Sequence, residues 1–138
     1  MEYKTSFEQV VNWGDMDAFG HVNNTIYLRY FESARVRYFD EVPELAGFQG
    51  TAIPVIVNLS CSYKRPVVYP DTLTVKVGVE QMGKASMKMS CEMVSPKVGV
   101  AAIAECTIVT IDPKKGHSVR IPTFWREAIE RLEGKRFE

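Results

Sequence analysis

Between residues 25 and 111 the hydrophobic period changes once, from 3.6 to 2, and this limits the chain to one long helix followed by a run of strands. Tyr27, Tyr30, Phe31, Ala34, Tyr38 and Phe39 recur at three- and four-residue steps, the spacing that lines one helical face. The predicted helix covers about Thr25 to Glu41 and opens on Asn23 or Asn24 as cap. It stops before Pro43, because the residue ahead of a proline avoids helical dihedrals.

From Thr51 to Tyr63 the pattern alternates, with Val55, Val57, Leu59, Cys61 and Tyr63 expected on the covered face of a strand. Leu73, Val75, Val77 and Val79 mark a second strand, and Met82-Gly83-Lys84 a tight reversal. Ala85, Met87, Met89, Cys91 and Met93 mark a third. Val98 to Ile111 is mostly apolar and reads as a central strand with both faces covered. Phe7 to Asn12 gives one more strand ahead of the helix, and Pro122 opens a short terminal helix carrying Phe124, Trp125, Ile129 and Leu132. Strands joined by short turns pair antiparallel, so the expected class is α+β, a sheet of about five strands wrapped around one long central helix. At 138 residues the chain suits one domain, residues 1–138.

Charge excludes some functions. Lysine plus arginine equals aspartate plus glutamate, 17 against 17, with no basic block, so the sequence predicts neither a nucleic-acid nor a membrane-surface partner. It has no run of roughly 20 apolar residues and no signal-like start, and a cytoplasmic protein is expected. Cys61, Cys91 and Cys106 are an odd set without Cys-x-x-Cys spacing and read as buried thiols. The expected partners are a small molecule and further copies of the chain, as a homodimer or homotetramer that covers the sheet edges.

Chemistry concentrates in Trp13-Gly14-Asp15-Met16-Asp17-Ala18-Phe19-Gly20-His21-Val22-Asn23-Asn24, directly ahead of the helix. The first amides of a helix lack intrahelical partners and carry partial positive charge, so they stabilise an oxyanion. A loop through Ala18-Phe19-Gly20 brings the Asp17 carboxylate back over that amide, and one reacting carbonyl meets both. Asp15 reads as a structural hydrogen-bonder. His21 serves either proton transfer or the loop. A metal site from Asp15, Asp17 and His21 lacks a fourth ligand, and no cofactor is expected. No Gly-x-Ser-x-Gly elbow is present, His117 has no nucleophile near it in sequence, and Lys64, Lys84 and Lys88 read on general grounds as solvated charges.

The segment from Trp13 to Tyr27, with Phe31-Glu32-Ser33-Ala34-Arg35 and Tyr63-Lys64-Arg65-Pro66-Val67-Val68-Tyr69-Pro70-Asp71, resembles the hotdog-fold acyl-CoA thioesterases of the 4-hydroxybenzoyl-CoA thioesterase type. The resemblance implies an enzyme hydrolysing acyl-CoA to a free acid and coenzyme A. It implies Asp17 as nucleophile or as base for water, the Asn24 amide as oxyanion donor, Asn23 as helper and Tyr27 as a wall of the acyl pocket. It further implies basic side chains for the coenzyme A phosphates near a dimer seam, for which Lys84 and Arg120 are the candidates. His21-Val22-Asn23-Asn24 is closer to broader acyl-CoA hydrolases and plant acyl-carrier-protein thioesterases, although Phe19 stands where the plant enzymes have an asparagine. Two rivals share the fold. A hydratase or dehydratase resembles Gly-Asp-x-Asn-Pro-x-His, but the stretch from Asp15 to His21 is one residue longer and has Asp17 in place of asparagine. A non-catalytic acyl-CoA-binding module has no use for Asp17.

Overall fold

The computed structural model describes residues 1–42 and 52–137. In chain order these form β1 (Thr5–Val11), a one-turn 3₁₀ helix (Trp13–Asp15), α1 (Asn24–Asp40), β2 (Ile53–Tyr63), β3 (Asp71–Met82), β4 (Ser86–Ser95), β5 (Gly99–Ile111) and α2 (Thr123–Glu133). Pro43 as the helix stop and Thr51 as a strand start lie outside the described residues. The strands make one antiparallel sheet in the order β1-β3-β4-β5-β2.

Alternation puts Leu73, Val75, Val77 and Val79 of β3, Met87, Met89, Cys91 and Met93 of β4, and Ala102, Ala104, Cys106 and Ile108 of β5 on one buried face. Against that face α1 buries Tyr27, Tyr30, Phe31, Ala34, Arg35, Tyr38 and Phe39. One apolar stripe thus meets one apolar sheet face, which is what drives both out of water. A single central helix is too narrow a description, because α2 packs Trp125, Ala128 and Ile129 into the same core. Phe124, expected there, is exposed, since residues 125, 128 and 129 already fill the inward face of that helix.

Two strands depart from the sequence pattern. β5 lies one in from the edge, with its outer face open at Ile103 and Glu105 rather than covered. β2 is an edge strand whose register shifts between Ile56 and Asn58. That bulge reverses the alternation. Ile56, Leu59, Cys61 and Tyr63 pair with the inward positions Ile108, Cys106, Ala104 and Ala102, whereas Val55 pairs with Val109 on the other face. Of these inward residues Cys61 packs partly buried against the core, but Leu59 is 39 % exposed and Tyr63 47 %. α1 leans on the β1 and β3 side of the sheet and leaves this margin open.

Far from that margin, a buried polar cluster ties α2 to the rest. Glu133, 3 % exposed, accepts a 2.5 Å hydrogen bond from the Tyr38 hydroxyl and one of 3.0 Å from the Val79 amide, beside the register shift between Val79 and Gln81. Gly78 permits this approach, since a Cβ there would sit 2.7 Å from Met1 Cε and 3.1 Å from a Glu133 oxygen. Replacing Glu133 with Ala strands a buried hydroxyl and a buried amide. It should cost about 2–4 kcal/mol, read as a lower urea midpoint at unchanged slope, while Tyr38→Phe should cost about 1 kcal/mol.

Candidate active site

The loop between β1 and α1 folds as a small hairpin. Met16 and Val22 form an antiparallel bridge, the Asp17 amide donates to the His21 carbonyl at 3.0 Å, and the Gly20 amide donates to the Asp17 carbonyl at 3.0 Å. Gly20 has φ of 83°, a conformation that L side chains rarely adopt, which is why a glycine closes the turn. Asp17 is fixed by this turn. One carboxylate oxygen accepts the Phe19 amide at 2.9 Å and the other accepts the Asn23 side-chain amide at 3.3 Å. The first bond is an Asx turn, the local geometry aspartate favours.

Asn23 is the N-cap of α1, its side-chain oxygen accepting from the Thr25 amide at 2.9 Å and the Thr25 hydroxyl at 2.7 Å. The Ile26 amide turns back to the Asn23 carbonyl. The Asn24 amide, first in the helix, donates to no described residue, so its partial positive charge stays available to a ligand. The cap also settles the choice between the two asparagines that the sequence left open.

Asp15 has the structural duty expected of it. Its side chain accepts the Asn12 amide at 3.0 Å and the Tyr30 hydroxyl at 2.5 Å, and its carbonyl accepts the Asn23 amide. Burial, then the hydrogen bond to Asp15 and its negative charge, push the Tyr30 hydroxyl well above the usual phenol range, so it remains a donor. The loop is thereby pinned to α1 two turns below the cap. On its other side the Val22 amide donates to the Val67 carbonyl at 2.9 Å.

Around these groups lies a cleft of about 400 Å³, lined by Asp17, Phe19, His21, Val22, Asn24, Tyr27, Tyr63, Lys64, Arg65 and Pro66. The sequence-predicted Asp17, His21, Asn24 and Tyr27 therefore meet in one place, with Asn23 behind Asp17. The exposed His21 ring hydrogen-bonds to no described residue. Burial raises the Tyr27 hydroxyl above the usual phenol range, so this wall is neutral. Lys84 and Arg120 do come together, in a depression they share with Arg126 and Phe137. That depression stands at the hairpin end of β3, whereas Asp17 stands at the Asp71 end, a strand of 12 residues or roughly 35 Å away. One chain does not bring them together.

Tyr63 was missed by sequence reasoning, which treated it as a strand residue. Its hydroxyl donates to the Asn24 carbonyl at 3.0 Å, and its ring meets Tyr27 edge-on at 5.3 Å. A hydroxyl at the last inward position of an edge strand was the available signal. The thiols offer no alternative nucleophile. Burial raises Cys61 and Cys106 above the ordinary range and pushes Cys91 up to about 12, so none is a thiolate near neutrality. Among the described residues no group of three or more His, Cys, Asp or Glu side chains could hold a metal ion.

A held carboxylate and an unpartnered helix-terminal amide thus lie at one cleft on a sheet wrapped against a helix. The chain belongs to the Thioesterase-like superfamily, which residues 11–129 match, and is a thioester hydrolase. It is 31% identical over 122 residues to the long-chain acyl-CoA thioesterase FadM of Escherichia coli, spanning 85% of this chain and 90% of that protein. A thioesterase from Thermus thermophilus, solved with coenzyme A and zinc, superposes with a TM-score of 0.85 at 28% identity and covers 98% of each chain. The PA2801 protein of Pseudomonas aeruginosa gives a TM-score of 0.81 at 30% identity over 93% of this chain and 99% of its own.

The double use of Asn23 can be separated. Asn23→Ala should lower stability by about 1 kcal/mol through loss of the cap, and Asn23→Ser should restore most of it, both measured by thermal unfolding. Neither variant holds the second Asp17 oxygen, so turnover should stay low in Asn23→Ser although its melting temperature recovers.

Proposed function

We propose that the protein hydrolyses acyl-CoA to free acid and coenzyme A, with Asp17 as the catalytic carboxylate and the Asn24 amide as oxyanion donor. The observation that carries this reading is the pairing of a doubly held Asp17 carboxylate with an unpartnered first amide of α1 on one cleft. The kinship with a long-chain acyl-CoA thioesterase and with a thioesterase solved with coenzyme A supports the substrate class. The resemblance to the 4-hydroxybenzoyl-CoA type supports the same division of labour, within a single domain spanning residues 1–138.

The thioester carbonyl oxygen takes the Asn24 amide, whose preorganised dipole stabilises the tetrahedral oxyanion by about 3–4 kcal/mol. Asp17 either attacks the carbonyl carbon, giving an anhydride that water then opens, or takes a proton from water as the resulting hydroxide attacks. In both routes the thiolate leaves as the oxyanion collapses. In this reading His21, exposed and on the cleft, hands the sulfur a proton, and Tyr27 and Tyr63, which also line the cleft, face the acyl group. The site favours hydrolysis over hydration, because Asp17 is a carboxylate where the hydratase pattern has an asparagine.

The same reading makes the enzyme a homodimer or homotetramer. Among the described residues β2 has no strand on its outer edge, and its inward Ile56, Leu59 and Tyr63 are exposed. Antiparallel pairing of two such edges about a two-fold axis brings the hairpin end of one copy to the Asp17 end of the other. Through that pairing Lys84 and Arg120 can serve the phosphates of coenzyme A in the neighbouring cleft. No helix among the described residues is long and apolar enough to cross a membrane, and the three free thiols suit the cytoplasm we propose as its location.

Asp17→Asn keeps the shape and removes the charge. Its kcat should fall about 10²- to 10⁴-fold, with KM for a long-chain acyl-CoA within a few-fold of the parent, by a free-thiol assay. Near-normal turnover in the folded variant would move the chemistry elsewhere. Light scattering should give a dimer or tetramer at micromolar concentration, and a fully active monomer would remove the paired-edge arrangement.

A further inference from the structure

Two cations at the cleft have no role in the reading so far. After Tyr63 the chain leaves the sheet through Lys64 and Arg65, whose amides both donate to the Ala101 carbonyl, at 2.8 and 3.2 Å. Two residues past Arg65, the buried Val67 receives the Val22 amide on its carbonyl. The segment is therefore clamped to β5 on one side and to the Asp17 loop on the other. Its basic side chains are exposed, line the cleft, and form no ion pair with a described residue. The lysines on the sheet behave differently. Lys76 pairs with Glu92, and Lys88 with Glu80 and Glu105.

The charge around the cleft is thus divided. Among the described residues Asp17 is its one lining carboxylate, already engaged by Phe19 and Asn23, while Lys64 and Arg65 are two positive charges without an ion-pair partner. Val22, Tyr27 and Tyr63 also line it, and Tyr63 continues into the exposed inward face of β2. Such a lining suits a ligand that carries both an apolar part and an anionic group.

We propose that Lys64 and Arg65 bind the phosphate at the end of the pantetheine arm, the chemistry common to coenzyme A and to the prosthetic group of an acyl carrier protein. The planar fork of Arg65 takes two phosphate oxygens, and Lys64 adds a point charge. The acyl chain then lies along the exposed inward face of β2. This inference rests on the thioesterase reading for its substrate, and it assigns the nearest phosphate to the chain that also supplies Asp17, leaving the hairpin cations of a second copy for the phosphates farther out.

The test compares the parent with Lys64→Ala, Arg65→Ala and the double variant on one acyl group carried by coenzyme A, by acyl carrier protein and by pantetheine lacking phosphate. For the double variant, kcat/KM on acyl-CoA should fall about tenfold or more, mainly through KM, and far less on acyl-pantetheine, since a phosphate contact is equal in ground and transition states. Arg65→Lys should recover part of the loss. An equal fall on acyl carrier protein assigns the arm phosphate. A fall confined to coenzyme A instead assigns the nucleotide phosphates and overturns the proposal as stated. An equal fall on all three carriers, or none, also overturns it. Calorimetric titration with free coenzyme A separates this from the hydrolase reading. Binding that depends on Lys64 and Arg65 without hydrolysis sinks the hydrolase reading alone, and hydrolysis with undiminished affinity in the double variant sinks this one alone.

Discussion

The side chain of Asn23 is the joint on which the site turns. Its oxygen stops the helix from fraying by accepting from Thr25, and its amide reaches the carboxylate of Asp17. Helix geometry and acid geometry are thereby set by one residue with two fixed ends. A serine or threonine caps a helix as well, but neither has a donor in the place where the asparagine amide lies. Everything else near the loop reinforces that joint: Asp15 ties its backbone to Tyr30, and Val67 receives Val22 from the other side.

How legible this was depended on the range of the interaction. The helix, its asparagine cap and the positions of the strands follow from local periodicity and cap chemistry, so the sequence was enough for Tyr27 to Phe39 and for Leu73 to Met93. The meeting of Asp17, Asn24, His21 and Tyr27 was legible for the same reason, since a short loop and one helix turn contain them all. The bulge after Ile56 was not, because apolar residues stand on both sides of the shift and hide it. Nor were the contacts of Tyr63 with Asn24 or of Glu133 with Val79, which join residues 39 and 54 positions apart. Lys84 and Arg120 are a different case, because the role the resemblance implies for them lies at a seam between two copies. Strand length separates them from Asp17 within one chain, so one chain alone does not test that role.

β2 is where the single chain is least finished. Its bulge turns Leu59 and Tyr63 toward the helix side of the sheet, yet α1 packs mainly over β1 and β3, touching Tyr63 without burying it and leaving Leu59 exposed. Apolar surface on the concave side of an edge strand is costly to leave wet, and it adjoins the cleft. Tyr63 belongs to both regions, so an occupant of that margin would press on a residue bonded to the start of α1. A proposed acyl chain and a proposed second copy thus compete for, or share, the same surface.

The unpartnered amide at the start of α1 belongs to the backbone, and this shapes what heredity can do with the site. A change of side chain at position 24 leaves the N–H in place unless the newcomer is proline, so the donor is indifferent to most of the genetic code. Asp17 has no such shelter, since its oxygens are the side chain itself. A survey of single substitutions would therefore find one half of the proposed machinery sharply marked and the other almost silent. The silent half would be preserved by whatever keeps the helix beginning where it does.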